Sequence, residues 1–187
     1  MSFEQEAAGG MNPVASIPYL SLFLEDHMEK ICTNRIVKVG IVTDNAEETA
    51  KKLTELFEVV EPYDNHEPPA VPFSSERYQL YKGQPAKDIH MNVRLVYVEP
   101  IYFEIIEPIG DAESPWHDHF KKYGTSVCFF AFYINGFEEH IDFMGKQGFP
   151  LIFKEEKGFE RYAYFDTMSK LGFTLEMKER IPKPAEE

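Results

Sequence analysis

The sequence predicts an α+β protein made of two tandem βαβββ modules with an added N-terminal helix. Three observations carry this expectation. In Arg35-Ile-Val-Lys-Val-Gly-Ile-Val-Thr-Asp-Asn45, residues Val37, Val39 and Ile41 alternate with Ile36, Lys38, Gly40 and Val42, the two-residue period of a strand. Asp44 follows as a helix cap with Glu47 three residues on, a capping box at the positive end of a helix. The same order of strand, cap and helix returns in Cys128-Phe-Phe-Ala-Phe-Tyr-Ile-Asn-Gly-Phe-Glu-Glu139, where Asn135 and Glu138 take the cap positions, so the chain reads as a duplicated unit.

The N-terminal stretch to about Asn12 is polar and reads as a tail. Leu20, Phe23, Leu24, His27, Met28 and Ile31 recur at helical steps, predicting an amphipathic helix over Pro18 to Ile31 that packs on the body or on a second copy of the chain. After Asp44 the stripe Ala50, Leu53, Leu56 and Phe57 marks the buried side of a helix, and Glu58 to Glu61 reads as a short strand. The proline-rich segment 62–88 reads as a loop, with Tyr78 to Tyr81 a candidate strand inside it. Met91 to Val98 and Ile101 to Glu107 read as strands reversed at Glu99-Pro100, with Tyr102, Glu104 and Ile106 on one face and Phe103 and Ile105 on the other. Ser114 to Gly124 has a serine cap, a proline at the first helical position and a terminal glycine, and predicts a linking helix. In the second unit Phe137, Ile141 and Met144 form the helical stripe, followed by strands at Leu151 to Phe153, Arg161 to Phe165 and Phe173 to Met177. The divisions are 1–34, 35–110, 111–123 and 124–187.

At 187 residues the chain suits one domain or two small packed halves, against a prior of about 150 residues per domain. A net charge of −13 opposes binding to a phosphate backbone, and no apolar run reaches the roughly 20 residues that cross a bilayer. A soluble, cytoplasmic protein is expected, with a small molecule as its partner rather than nucleic acid or membrane. Cys32 and Cys128 show no metal or redox spacing, and Cys128 reads as a buried, inert thiol. No phosphate-binding glycine loop, nucleophile elbow or catalytic Cys-His arrangement occurs.

Between Ile36 and Lys178, the order of Lys38-Val-Gly-Ile-Val42, Tyr81-Lys-Gly-Gln-Pro-Ala86, Phe103-Glu-Ile-Ile-Glu-Pro108, Ser114-Pro-Trp116, Tyr164-Phe-Asp-Thr167 and Leu171-Gly-Phe-Thr-Leu-Glu176 resembles the vicinal oxygen chelate superfamily. That superfamily includes glyoxalase I, bleomycin-resistance proteins, extradiol dioxygenases and methylmalonyl-CoA epimerase, and the epimerase-like branch is the most similar. The resemblance implies paired modules around a cavity holding a divalent metal, whose ligands are a His, a Glu or Gln, a second His and a Glu on four strands. Carried onto this chain, those positions fall on Lys38, Glu104, Phe129 and Glu176. Lysine is a cation at neutral pH and phenylalanine has no donor atom, so no metal or other cofactor is expected. If a divalent metal binds after all, Glu104 and Glu176 with His90 or His66 are the candidate ligands.

The alternation independently puts Lys38, Glu104 and Glu176 on the face away from the helices. Two readings of that trio stand open. In one, Lys38 holds a substrate carboxylate or enolate oxygen and Glu104 or Glu176 is the base; in the other the trio is a structural ion pair. Phe129, Tyr102, Tyr133 and Arg94 are candidate ligand-binding residues, with Asn92 on the face of Arg94. His117 and His119 do not share a helix face, and His140 is expected to face water. Two function classes follow: a binding protein enclosing an organic ligand in an aromatic-lined cavity, or an isomerase or lyase abstracting a proton next to a carbonyl. No residue indicates an acyl-CoA or a glutathione adduct.

Overall fold

Two strands, β1 (Ile36–Val42) and β6 (Ser126–Tyr133), run antiparallel in the middle of the sheet and join the two halves of the chain. The structure is a computed structural model and describes residues 28–60, 78–86, 89–157 and 160–180. Each half is built outward from its central strand. In the first, β1 is followed by α1 (Ala46–Leu56), and β5 (Ile101–Ile109) lies parallel to β1 with β4 (His90–Val98) antiparallel on its far side. In the second, β6 is followed by α3 (Phe137–Lys146), and β9 (Thr174–Arg180) lies parallel to β6, with β8 (Glu160–Phe165) and β7 (Leu151–Glu156) beyond it. The linking helix α2 (Pro115–Tyr123) matches its expected bounds, and a short α4 (Met168–Leu171) precedes β9.

A hairpin of β2 (Tyr78–Tyr81) and β3 (Gln84–Pro85) comes from the first half of the chain but pairs with β7 of the second. The nine described strands therefore run β3-β2-β7-β8-β9-β6-β1-β5-β4 in an open sheet. Tyr81 on β2 and Ile106 on β5 share one hydrophobic cluster although they stand six strands apart in that order, about 29 Å in a flat sheet at 4.8 Å per strand. The sheet thus curls, and α2 lies in its concave face. There Trp116 packs edge-on to Phe153 and Tyr164 at ring separations of 5.2 and 5.8 Å. Asp118 on the same helix accepts hydrogen bonds from the Tyr81 hydroxyl at 2.6 Å and from Lys82 at 2.7 Å, which ties the hairpin to α2.

The convex face carries the outer helices. Ala46, Ala50 and Leu53 of α1 pack on Val96 and Ile105, while Phe137 and Met144 of α3 pack on Phe165, Leu175 and Met177. Leu56, expected on the buried stripe, faces solvent, and Phe57 is half-exposed against the Phe103 ring. Both helix caps fall one residue later than expected, at Asn45 and Gly136. The reason is common to the two units: the sheet ladder continues past each strand, through Thr43 N–H to Ile106 C=O at 2.9 Å and Ile134 N–H to Lys178 C=O at 2.8 Å. The Asn45 side chain accepts from the Glu48 amide at 2.9 Å; Gly136, at a φ of 86°, has no side chain to offer. A glutamate at the end of the last strand of each unit supplies the remaining cap, Glu107 accepting from the Ala46 amide at 3.1 Å and Glu179 from the Gly136 amide at 2.6 Å.

Residues 58–60 form no strand, although the Val60 amide donates to the Tyr97 carbonyl at 3.0 Å on the edge of β4. Met28 to Ile31 are not helical, and the rest of the expected Pro18 to Ile31 helix, the N-terminal tail, His66 and most of the 62–88 loop lie outside the described residues. No helix among the described residues is long and apolar enough to cross a membrane.

Candidate functional site

The register fixes which positions of the two units correspond. Lys38 pairs with Tyr102 on β5 and Phe129 pairs with Thr174 on β9, so Glu104 and Glu176 each stand two residues further along their strand. Across the central pair Lys38 faces Ala131 and Gly40 faces Phe129. An approximate two-fold axis between β1 and β6 therefore relates Lys38 to Phe129, Gly40 to Ala131 and Glu104 to Glu176. All four expected positions lie on the concave face of the sheet.

The structure brings them into contact. The Lys38 ammonium hydrogen-bonds Glu104 Oε2, and it lies 3.2 Å from Glu176 Oε1 and 2.9 Å from Oε2. Phe129 presents its ring to the same ammonium, with its centroid 5.0 Å from Nζ. Lys38, Phe129 and Glu176 are 2%, 0% and 1% exposed, whereas the Glu104 side chain is 21% exposed. Gly40 makes room for the ring: a Cβ at that position would sit 2.0 Å from Phe129 Cε1.

The charge pattern extends along the concave face. Lys178 pairs with Glu160 at 3.0 Å, Lys157 approaches Glu160 at 4.0 Å, and the Tyr162 hydroxyl donates to Glu155. Three lysines and four glutamates thus share a region from which water is largely removed. Sequence reasoning missed Glu155, Lys157, Glu160, Tyr162 and Lys178. Alternation offered a signal for part of the set, since Lys178 stands two residues from Glu176 and Glu160 and Tyr162 share a face of β8.

Burial and charge move the two site carboxyls in opposite directions. Burial favours the neutral acid at both. At Glu104 the fields of Lys38 and then Lys178 prevail and hold the carboxyl below its ordinary value. At Glu176 burial, with the Glu104 charge, outweighs the same two lysines and raises it. Burial opposes the charged form of Lys38 too, but Glu104 and then Glu176 raise its pKa above the usual lysine range. Tyr102, stacked on Tyr97 at 5.3 Å, is pushed up to about 12, by burial first and against the field of Lys38.

Other candidates divide. Tyr133 lies at the end of the concave face, where its hydroxyl accepts from Arg180 Nη2 at 3.0 Å. Arg94 does not join the site. It stands on the convex side with Val96 and donates to Glu47 of α1 at 2.6 Å, both side chains open to solvent, because alternation on β4 assigns it to the helix-facing side. His90 and Asn92 are exposed on the face of Arg94. His140, expected in water, is buried: Nδ1 is 2.7 Å from Gly136 C=O and Nε2 accepts from the Cys32 amide at 3.3 Å, so the segment before β1 covers it. Cys128 is buried as expected, its thiol raised by burial and by Glu176.

For a metal, Glu104 and Glu176 are the available oxygen donors, and an ammonium occupies the space between them. No group of three or more His, Cys, Asp or Glu able to hold a metal occurs among the described residues. This donor set does not fit a divalent cation.

No protein-family profile and no curated protein matches the chain. Solved structures do. A hypothetical protein from Bacillus halodurans C-125 aligns with a TM-score of 0.53 at 16% identity over 82% of this chain and 99% of its own. Methylmalonyl-CoA epimerase from Mycobacterium tuberculosis aligns at 0.51 and 13% identity, over 79% and 88%. The Streptomyces coelicolor epimerase, in complex with 2-nitronate-propionyl-CoA, aligns at 0.52 and 14% identity, over 81% and 99%. These likenesses establish the vicinal oxygen chelate fold, the architecture expected from the sequence.

Proposed function

We propose that the chain is a metal-independent binding protein of the glyoxalase and bleomycin-resistance type, holding a small organic ligand in the curl of its sheet, with Lys38 standing in the place of the metal. The observation that carries this reading is the Lys38 ammonium seated between Glu104 and Glu176 while the Phe129 ring fills the fourth ligand position. Together they supply a permanent positive charge where the fold elsewhere takes a cation, and a hydrophobic wall where it takes a histidine. Glu104 is the member of the four open to solvent, so a ligand approaches the centre past its carboxylate. Tyr102 and Tyr133 share this face, and a net charge of −13 disfavours polyanionic partners. A cytoplasmic location belongs to the same reading.

Adding divalent cobalt to the wild-type protein and to the paired variant Lys38→His with Phe129→His tests the replacement. The expected result is cobalt absorption bands at one equivalent in the paired variant, whose ligand set becomes two histidines and two glutamates, and none in the wild type. Stoichiometric metal in the wild type would reject the reading.

A second reading is favoured by the opposed shifts of the two carboxyls: an isomerase or lyase in which Glu104, the carboxyl held low, takes a proton next to a carbonyl, Glu176, the carboxyl raised by burial, is its partner acid, and Lys38 faces the developing oxyanion. Methylmalonyl-CoA in deuterated water is the probe, because the epimerases sharing the fold act on that compound by name. Deuterium entering its α-carbon, and lost in Glu104→Gln, selects this second reading; no exchange leaves the first.

A further inference from the structure

A cavity lies where three strand ends meet. Because β1 and β6 are antiparallel, the chain entering β1 through Thr33 and Arg35 passes the exit of β6 at Tyr133 and Asn135, and parallel β9 ends beside it at Arg180. These segments enclose a cavity of about 310 Å³ with Val37 and Ile134 as its apolar wall. That is space for about ten water molecules at 30 Å³ each, the lower end of the range for small-molecule sites.

Its polar groups have one chemistry. Two guanidinium groups line it, in a protein whose net charge is −13. Arg180 is set by Tyr133, its guanidinium carbon 4.8 Å from the ring centroid and Nη2 donating to the hydroxyl at 3.0 Å. Arg35 is exposed and makes no side-chain ion pair among the described residues; its amide donates to Thr33 Oγ1 at 3.3 Å, which shapes the entry turn. Glu179, next to Arg180, is already engaged by Arg161 at 2.6 Å and the Gly136 amide at 2.6 Å. The Asn135 amide and the Thr33 hydroxyl complete a rim able to donate to oxygen.

We propose that this cavity binds a small organic oxyanion, a carboxylate or phosphate monoester carrying a compact apolar group, with Arg35 and Arg180 holding the charged head and Val37 and Ile134 the apolar part. It differs from the Lys38 centre in place and in charge carrier, the Lys38 ammonium being held between Glu104 and Glu176 on the concave face. The inference therefore stands apart from the reading of the Lys38 site.

Benzoate, phenyl phosphate and neutral benzyl alcohol, titrated separately into isotopically labelled full-length protein and followed by amide NMR shifts, test it. Saturable shifts at Thr33 and Tyr133 to Asn135 with benzoate, phenyl phosphate or both are expected, and which one binds assigns the head group. Benzyl alcohol should produce none. Arg35→Gln, at an exposed position that leaves the fold intact, should weaken binding by about tenfold, one charge-assisted contact, and Arg180→Gln by at least as much. No saturable shift with either anion, equal binding of benzyl alcohol, or unchanged affinity in a folded Arg35→Gln protein overturns the proposal.

Discussion

The two units place different chemistry at matching sheet positions. The first has Lys38 with Gly40 one pleat away; the second has Phe129 with Ala131. The differences meet in space, because the antiparallel central pair sets Phe129 opposite Gly40, and the missing side chain of the glycine is the volume that the ring enters. The glutamates, by contrast, are the same in both units, and their shared counter-ion comes from only one of them. A duplicated scaffold can therefore keep the same acid in both halves while one half supplies a fixed cation and the other the ring packed against it.

Removing the cation should break this arrangement most severely. Lys38→Met leaves two carboxylates without their counter-ion, and a loss of about 3–5 kcal/mol is expected in chemical denaturation. Adding Glu104→Gln and Glu176→Gln to that variant should restore most of it, since the uncompensated charge is then gone. A loss in Lys38→Met below about 1 kcal/mol would show that the trio is not held as a buried pair.

Gly40→Ala comes next. Its Cβ would collide with the Phe129 ring, giving an expected loss of about 1–3 kcal/mol, relieved when Phe129→Leu is combined with it. The mirror change Ala131→Gly should cost only about 0.5–1 kcal/mol. Equal effects at the two positions would contradict the asymmetry of the halves.

The pH dependence sharpens the contrast between the two acids. Glu104, held below its ordinary 4.5, contributes stability that is present above 4.5 and lost as pH falls through its lowered value. Glu176, raised above 4.5, contributes stability that is present below 4.5 and lost as pH rises through its raised value. Unfolding free energies measured across pH should thus show Glu104→Gln flattening the acid limb and Glu176→Gln flattening the decline above 4.5, each by at most about 1.4 kcal/mol per pH unit, the effect of one proton. Identical profiles for the two variants would refute the opposed shifts.

The smallest effect belongs to Arg94→Ala on the convex side. Its partner Glu47 is 75% exposed and Arg94 itself 50%, so stability should change by no more than about 0.5 kcal/mol, and ligand binding at the concave centre should be untouched. A tenfold loss of ligand affinity would return Arg94 to the site.

Much of this was legible in the chain. Alternation assigned Lys38, Glu104 and Glu176 to one face because a pleated strand leaves a side chain only two directions. The repeated spacing from Glu104 to Glu107 and from Glu176 to Glu179 also held the helix-capping glutamates in plain view. Arg94 was misplaced for a related reason, since period two separates a strand's faces without saying which one meets a helix. His140 was misread because solvent exposure on a helix depends on what else crosses it, here the turn at Cys32 more than a hundred residues earlier.

The order of elements, their two faces and the placing of Lys38, Glu104 and Glu176 on one of them were determined by the sequence itself, since these follow from local period and side-chain chemistry. The tertiary structure decided that the β2–β3 hairpin crosses to the second unit, that Phe129 occupies the space above Gly40, and that Arg35 and Arg180 meet at one cavity. Each of those depends on strand register and the curl of the sheet, which bring together residues that no local pattern relates.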